Sequence, residues 1–267
     1  MCEIFCFNSD KPKEVNHCLE CFYNHSEEHP HGWGLATMQS DDEFNIQKEP
    51  VKASCSQHLK GILSNPVIGK NVFAHIRLAT TGEIVSPNCH PFIEADDNNR
   101  SWMLIHNGTI FDYPELDKYK DKENGDTDSE RILLYIIDKV NEFESNNGAP
   151  STIKERFEII ENIVSDLSKG NKLNLMIYDG DLTYIHSNMK DSLFYIQNDD
   201  GMLIASTPLD DNEGWKAVEL NKLFGLVDGN IVFESEPHDN EYILLDEHEK
   251  RLNDFLESLK LDDNNDQ

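Results

Sequence analysis

The sequence is poor in basic residues. Its 23 lysines and arginines stand against 51 aspartates and glutamates, which gives a formal net charge of −28 at pH 7. A surface that binds nucleic acid needs clustered Lys and Arg to meet the phosphates, and attraction to anionic lipids needs the same charges. The composition therefore excludes nucleic acid and anionic membranes as partners, and it favours solubility.

Long hydrophobic runs are also missing. A transmembrane helix needs about eighteen or more consecutive apolar residues, and no such run occurs. The N-terminus has no basic segment followed by an apolar one, so no signal peptide is predicted. We therefore expect a cytoplasmic protein without a membrane-spanning helix.

Two families of nucleotide-binding motif are absent as well. The chain has neither a phosphate-binding P-loop nor the glycine fingerprint of a dinucleotide site, so no cofactor is predicted.

The six cysteines are expected to be reduced thiols, because disulfides accompany secretion. One Cys-x-x-Cys pair, Cys18 and Cys21, stands beside His17 and His25, and this leaves structural zinc as an alternative. Zinc modules usually repeat such a pair at a matching spacing, and this pair falls inside a helical pattern. We therefore predict no metal site.

Apolar clusters recur along the chain although hydrophobic residues make up only 38% of it, and 267 residues are enough to bury a core. Four helical patterns precede the strand-rich C-terminal part: one starting at Asp10-Lys11-Pro12, a short one over 54–64, one over 129–143, and one starting at Thr152 with a capping box to Glu155. The remainder predicts mainly strands and a C-terminal helix.

Two Asp-Gly pairs, at 179–180 and 228–229, predict hairpin turns between those strands. The sequence as a whole predicts one domain over residues 2–260 and a disordered acidic tail over 261–267.

The N-terminal stretch Met1-Cys2-Glu3 offers a reactive group. A small residue at position 2 permits removal of Met1, and Cys2 would then carry both a thiol and a free α-amine. An α-amine has a pKa of about 7.7–8.0, so it can accept the thiol's proton near neutrality. Nucleophile and base would then share one residue. The plainer alternative is a small core residue at the start of a strand.

Three further positions carry candidate chemistry, each with a structural alternative. Arg77 ends a buried strand, which suggests either an anion held bidentately or an ordinary ion pair. Asn107-Gly108 ends another strand and is typical either of a hairpin turn or of an oxyanion hole built from an amide and a backbone N–H. Asp128 precedes a helix and fits the role of N-cap.

The order of these motifs resembles that of the class II glutamine amidotransferases, a family of N-terminal nucleophile hydrolases. The resemblance rests on Cys2, HGWGLA at 31–36, AHIRLATTG at 74–82, NCHPF at 88–92, IHNG at 105–108 and GDTDSE at 125–130. A looser match, LIASTPLDDNEGW at 203–215, and the Cys-Glu start are most similar to a stand-alone branch that cleaves γ-glutamyl amides.

The resemblance implies a role for each candidate residue. Cys2 would attack the side-chain amide of glutamine and form a γ-glutamyl thioester, while Asn107 and Gly108 stabilise the oxyanion. Arg77 would bind the substrate carboxylate and Asp128 its ammonium group. Thr80 and His106 would also contact the substrate, and His106 would take no part in proton transfer.

The family's fold is an α+β, four-layer αββα sandwich of two antiparallel sheets, and we expect it here. The chain departs from the family's pattern at His31, where stand-alone members often have Asp, and at Thr81, where biosynthetic members commonly have His.

Three functions remain open at this point. The protein would be a glutamine amidohydrolase that supplies ammonia to a separate synthase subunit, or a stand-alone hydrolase of γ-glutamyl amides or peptides. The third alternative is an inactive binding module of the same fold, against which the complete set of site residues argues.

Overall fold

The structure is a computed structural model that describes residues 2–38 and 44–263. The strands are β1 (Glu3–Glu14), β2 (Trp33–Met38), β3 (Asn45–Glu49), β4 (Ile68–Ile76), β5 (Phe92–Ala95), β6 (Ser101–Thr109), β7 (Lys172–Tyr178), β8 (Thr183–His186), β9 (Phe194–Asn198), β10 (Gly201–Ala205), β11 (Lys216–Ala217), β12 (Leu223–Val227) and β13 (Asn230–Glu234). The α-helices are α1 (Asn16–Asn24), α2 (Gln57–Leu63), α3 (Asp128–Asn147), α4 (Ile153–Leu167) and α5 (Asp246–Asp263).

The strands form two antiparallel sheets. Sheet A has seven strands in the order β11-β9-β10-β1-β4-β2-β3, and sheet B has six in the order β13-β12-β8-β7-β6-β5. The first strand of the chain is therefore the middle strand of sheet A, paired with β10 on one side and β4 on the other.

The alternation of side chains along the strands produces three separate cores. In β1, Ile4 and Cys6 face the core between the sheets, whereas Phe5 and Phe7 face α1 and α2. In sheet B, Met103 and every second residue of β6 face the same central core, and the opposite face of the sheet packs against α3 and α4. Three cores separate four layers, which confirms the predicted αββα sandwich.

The predicted helix start at Asp10-Lys11-Pro12 is wrong. β1 continues through Glu14, because residues Lys13 and Glu14 resume pairing with β4 after an irregularity that follows Asn8. The helix begins only at Asn16, so Pro12 lies in the irregular part of a strand, where a missing N–H is tolerated.

The long helix α3 differs from its prediction at both ends. Its N-cap is Thr127, whose side chain accepts from the Glu130 N–H, so Asp128 is the first helical residue and the predicted N-cap role was wrong. The helix runs to Asn147 rather than 143 and stops at Gly148, which takes the left-handed conformation (φ 68°).

Other local predictions are confirmed. Thr152 and Glu155 form the capping box of α4. The Asp179-Gly180 turn joins β7 to β8, and Asp228-Gly229 joins β12 to β13. Asp179 is fully buried and its Oδ2 lies 2.6 Å from Nε of Arg156, so this turn is also fixed by a buried ion pair.

Helix α5 contains residues 261–263, which the sequence predicted to be disordered, while 264–267 lie outside the described residues. No helix in the described part of the chain is both long and apolar enough to cross a bilayer.

Candidate active site

Cys2 lies where the first strand of sheet A begins. β1 pairs with β4 from Glu3 opposite Ile76 onward, and the chain leaving β4 passes directly beside Cys2. The Cys2 thiol donates to the carbonyl oxygen of Leu78 at 3.3 Å. The N-terminal thiol is thus placed next to the residue that follows Arg77.

Burial raises the pKa of the Cys2 thiol, while the positive charges of Arg77 and Lys172 oppose that effect. The net direction is upward, so the sulfur is a thiol at neutral pH. A thiol becomes a strong nucleophile only when a base removes its proton. The site therefore calls for a base close to the sulfur.

Asn107 lies on the face of β6 that points toward sheet A. Its Nδ2 donates to Oγ of Ser206 at 3.2 Å, and the same oxygen accepts the backbone N–H of Ile4 at 3.0 Å. Its Oδ1 accepts from Nζ of Lys172 at 2.9 Å. Ser206 therefore ties the side-chain amide of Asn107 to the strand that carries Cys2.

Asn107 and Gly108 belong to the interior of β6 and pair with Asn174 and Leu173, so the hairpin alternative is wrong. Gly108 is required by its surroundings. A β carbon there would lie 2.1 Å from the Lys172 carbonyl oxygen and 2.2 Å from a ring nitrogen of His106.

His106 lies on the opposite face of β6, toward α3. Its Nδ1 is 3.0 Å from Oγ of Ser129, and its Nε2 is 3.4 Å from the carbonyl oxygen of Lys172. Burial lowers the pKa of His106, even though the negative charge of Asp128 opposes this. These contacts are structural, and a direct contact between His106 and substrate stays a prediction.

Arg77 is 3% exposed. Its Nη1 donates to the Glu83 carbonyl at 2.8 Å, and its Nη2 donates to the carbonyls of Thr81 and Gly82 at 2.9 and 3.3 Å. Within residues 2–38 and 44–263, no carboxylate lies within ion-pair distance of the guanidinium, so the ion-pair alternative has no support there. A buried guanidinium that bonds only neutral carbonyls among the described residues has no counter-charge there, so it can pair with an anion.

The loop that Arg77 holds is joined to the segment before α3 by one buried amide. Asn88 donates through Nδ2 to the Glu83 carbonyl at 2.9 Å and to the carboxylate of Asp126, and its Oδ1 accepts the Asp126 N–H at 2.9 Å. A β carbon on Gly125 would lie 2.0 Å from that Oδ1, which explains the glycine. NCHPF and GDTDSE are therefore neighbours in space.

Further contacts join the loop after β4 to the end of β6 and to the start of α3. Thr80 Oγ1 is 3.0 Å from Thr109 Oγ1, and the next residue, Ile110, donates its N–H to Oδ2 of Asp128 at 2.8 Å. The loop after β4, the end of β6 and the start of α3 thus meet near Cys2. The ring of His106 lies on the α3 side of β6, where Ser129 bonds both this ring and the carboxylate of Asp128.

The substitution at His31 is accommodated by a hydrogen bond. Its Nδ1 accepts the backbone N–H of Ala79 at 2.9 Å, while backbone bonds join His31 to the Arg77 carbonyl and Arg77 to Gly32. Gly34 has no room for a side chain, since a β carbon there would lie 1.7 Å from the His90 carbonyl oxygen. The Gly-Trp-Gly segment therefore packs directly on the NCHPF loop.

His75 and His90 form a buried pair beneath this loop, with ring centroids 3.9 Å apart. Burial holds the pKa of each well below its usual range, so both rings are neutral. Their packing beneath the loop is a structural arrangement.

Cys18 and Cys21 are free thiols on α1. Together with Trp215 and Asp210 they line a cavity of about 270 Å³ on the outer side of sheet A. Among the residues that the structure describes, no group of three or more His, Cys, Asp or Glu is arranged to hold a metal ion. The zinc alternative therefore has no ligand set there.

Two residues of the site were not identified from sequence, Lys172 and Ser206. Lys172 opens a mostly apolar strand, where a buried cation is unexpected, and this is the one signal that could have pointed to it. Ser206 ends the segment LIAS and carries no signal by itself.

Comparison with known proteins agrees with this geometry. The family described as "Glutamine amidotransferases class-II" matches residues 1–199. The chain belongs to the class II glutamine amidotransferases. The match includes every motif described above except the segment 203–215.

Full-length relatives extend the similarity beyond residue 199. The chain is 28% identical to an uncharacterized protein of Methanocaldococcus jannaschii, over 88% of this chain and 72% of the relative. It is 26% identical to a Haemophilus influenzae protein provisionally assigned as a glutamine amidotransferase, over 82% of each chain.

Among solved structures, the glutamine phosphoribosylpyrophosphate amidotransferase of Bacillus subtilis superposes with a TM-score of 0.61 at 19% identity. The superposition covers 88% of this chain and 49% of that one. At this identity the likeness concerns the fold alone, and that fold is the N-terminal nucleophile hydrolase sandwich.

Proposed function

We propose that this amidotransferase hydrolyses γ-glutamyl amide bonds with Cys2 as an N-terminal nucleophile. Removal of Met1 would free the α-amine of Cys2. The observation that carries the proposal is the shared hydrogen bonding of Ser206, which places the strand of Cys2 beside the amide of Asn107. The strand that follows the proposed nucleophile and the proposed oxyanion donor thus share one hydroxyl as acceptor.

The reaction would proceed in two steps. The α-amine takes the proton from the Cys2 thiol, the sulfur attacks the amide carbon, and Asn107 Nδ2 with the Gly108 N–H stabilises the oxyanion. The C–N bond then breaks, and the proton leaves with ammonia or an amine. Water attacks the remaining thioester, which releases glutamate and restores the thiol.

Recognition of the glutamyl group would use opposite charges. Arg77 would bind the α-carboxylate with the N–H groups that the loop carbonyls do not occupy, and Asp128 would bind the α-ammonium. A zwitterion needs one charge of each sign, and Arg77 and Asp128 would supply them.

The leaving group divides the proposal into two variants. Release of ammonia to a separate synthase subunit is one, and hydrolysis of γ-glutamyl peptides without a partner is the other. Either would take place on a small-molecule substrate, with no cofactor, and we expect it in the cytoplasm.

The test is intact-mass measurement with 6-diazo-5-oxo-norleucine, an alkylating analogue of glutamine. We expect loss of Met1 and a single adduct, which is absent from Cys2→Ala. Active protein that retains Met1 would refute the mechanism. Glutamate release from glutamine and from γ-glutamyl peptides then separates the variants, because a strong preference for peptides excludes the ammonia-donor role.

A further inference from the structure

Lys172 is a fully enclosed cation at the site. It is 2% exposed, although lysine is rarely buried to this extent without a specific interaction. It is the first residue of β7, directly opposite Thr109 of β6. Its side chain therefore lies on the face of sheet B that points toward sheet A, the same face as Asn107.

The ammonium group contacts Asn107 diagonally across the two strands. Nζ lies 2.9 Å from Oδ1 of Asn107, and the charge on the donor makes such a bond stronger than a neutral one. Because lysine has three donors and no acceptor, the atom of Asn107 that faces it must be the oxygen.

This contact selects one of the two orientations of the Asn107 amide. The ends of an asparagine amide are nearly equal in shape, and a half-turn exchanges them. With the oxygen held by Lys172, the nitrogen must point toward Ser206, where it donates at 3.2 Å. A flipped amide would present its N–H groups to a cation.

Ser206 extends the constraint to the nucleophile's strand. Its Oγ accepts from both Asn107 and the N–H of Ile4, two residues after Cys2. Lys172, Asn107, Ser206 and Ile4 thus form one continuous series of hydrogen bonds across the two sheets.

We propose that Lys172 is a positioning residue that fixes the Asn107 amide with its N–H groups directed at Ser206 and at the oxyanion. This inference rests on the proposed function, since the oxyanion arises in that reaction. Lys172 acts through Asn107 and does not itself touch the substrate. Removing one oxyanion donor lowers kcat by about 10²–10³. We therefore expect loss of Lys172 to lower kcat by about 10- to 10³-fold, from a tenth of that factor to the whole of it.

The test is a double-mutant cycle with Lys172→Met, Asn107→Ala and the double variant, assayed by glutamate release. We expect Lys172→Met to lower kcat with little change in KM, and the double variant to be within about threefold of Asn107→Ala, because residues that act as a unit are not additive. Lys169→Met is the matched control, since Lys169 lies three residues away and pairs with Asp166 on the surface. Multiplied losses in the double variant would overturn the inference.

Asn107→Asp examines the same series with Lys172 in place. Aspartate accepts from Lys172 but has no N–H to donate, so we expect a folded protein that is as slow as Asn107→Ala. Wild-type kcat in this variant would refute the role of the amide.

A readout without turnover separates this inference from the proposed function. In protein labelled with ¹⁵N-asparagine, the side-chain NH₂ signals of Asn107, assigned by their loss in Asn107→Asp, should move in Lys172→Met and stay unchanged in Lys169→Met. Unmoved signals would overturn the inference. If wild type and Cys2→Ala release glutamate equally, the proposed function fails, while these signals still decide whether Lys172 holds the amide.

Discussion

Replacing Lys172 by Met should change how the stability of the protein depends on pH. Burial lowers the pKa of Lys172 from 10.5 to about 8. The charged form is therefore less favourable in the folded protein than in the unfolded chain. Methionine has a similar length and volume but carries no charge.

The size of the effect follows from the displaced pKa. One pKa unit corresponds to about 1.4 kcal/mol, so the shift corresponds to about 3 kcal/mol of unfavourable free energy. Below about pH 8 this destabilisation is fully present, because the lysine is protonated in both states. Between about pH 8 and 10.5 the unfolded chain binds more protons than the folded protein, so stability rises with pH.

At neutral pH the substitution has two opposing effects. It removes the burial of a charge, worth about 3 kcal/mol, and it leaves Oδ1 of Asn107 without its donor, which costs about 1–3 kcal/mol. We therefore expect Lys172→Met to be close to wild type or more stable at pH 7, although it is slower as an enzyme.

The assay is urea unfolding of both proteins from about pH 7 to about pH 10 in a Cys2→Ala background, which removes titration of the nearby thiol. Wild-type Lys172 should gain about 2.5 kcal/mol relative to Met over this range. Other titrating groups cancel in the difference. If the difference in unfolding free energy between the two proteins stays constant with pH, the lowered pKa of Lys172 is refuted. If Lys172→Met loses several kcal/mol of unfolding free energy at pH 7, the expected balance between charge burial and the lost hydrogen bond is refuted.

Three further substitutions, two of them with a matched control, test the fold and the site. Gly108→Ala should lower the unfolding temperature sharply, because its β carbon would overlap a backbone carbonyl and a buried ring, whereas Gly61→Ala, with open space around it in α2, should be neutral or stabilising. Asp179→Ala should cost about 3–5 kcal/mol of unfolding free energy by removing the buried carboxylate that pairs with Arg156, while Asp181→Asn, at the half-exposed second partner of Arg156, should cost less than about 1 kcal/mol in the same urea titration. Asn88→Ala should raise KM for glutamine about tenfold or more by misplacing the loop of residues 81–83 that Arg77 holds, and unchanged hydrogen exchange in that loop would contradict this.

The sequence predicted those parts of the fold whose signals are local. The capping box at Thr152 and the Asp-Gly turns involve only neighbouring residues, and both are present as predicted. The helix start at Asp10-Lys11-Pro12 failed because pairing of Lys13 with Gly69 extends β1, and no local pattern reveals a partner so distant in the chain.

The site residues divide in the same way, into those with a local sequence signal and those without one. Cys2, Arg77 and Asn107 stand in recognisable motifs, so their order along the chain identified them. Lys172 and Ser206 matter through their positions in two different sheets, which only the folded chain brings together. The sequence also did not predict on which face of the sheet each side chain lies. His106 is adjacent to Asn107 in the chain but points toward α3.

The central position of β1 in sheet A links the order in which the chain folds to the reactivity of Cys2. Residues Glu3 to Asn8 pair with β4 and with β10, whose residues 202–205 lie almost 200 residues later in the chain. Contacts this distant form slowly, so we expect β1 to complete its pairing only after most of the chain has been made. Reaction of Cys2 with a glutamine analogue would then report that β1 has paired with β4 and β10, and a tag fused ahead of Cys2 would convert its α-amine into an amide.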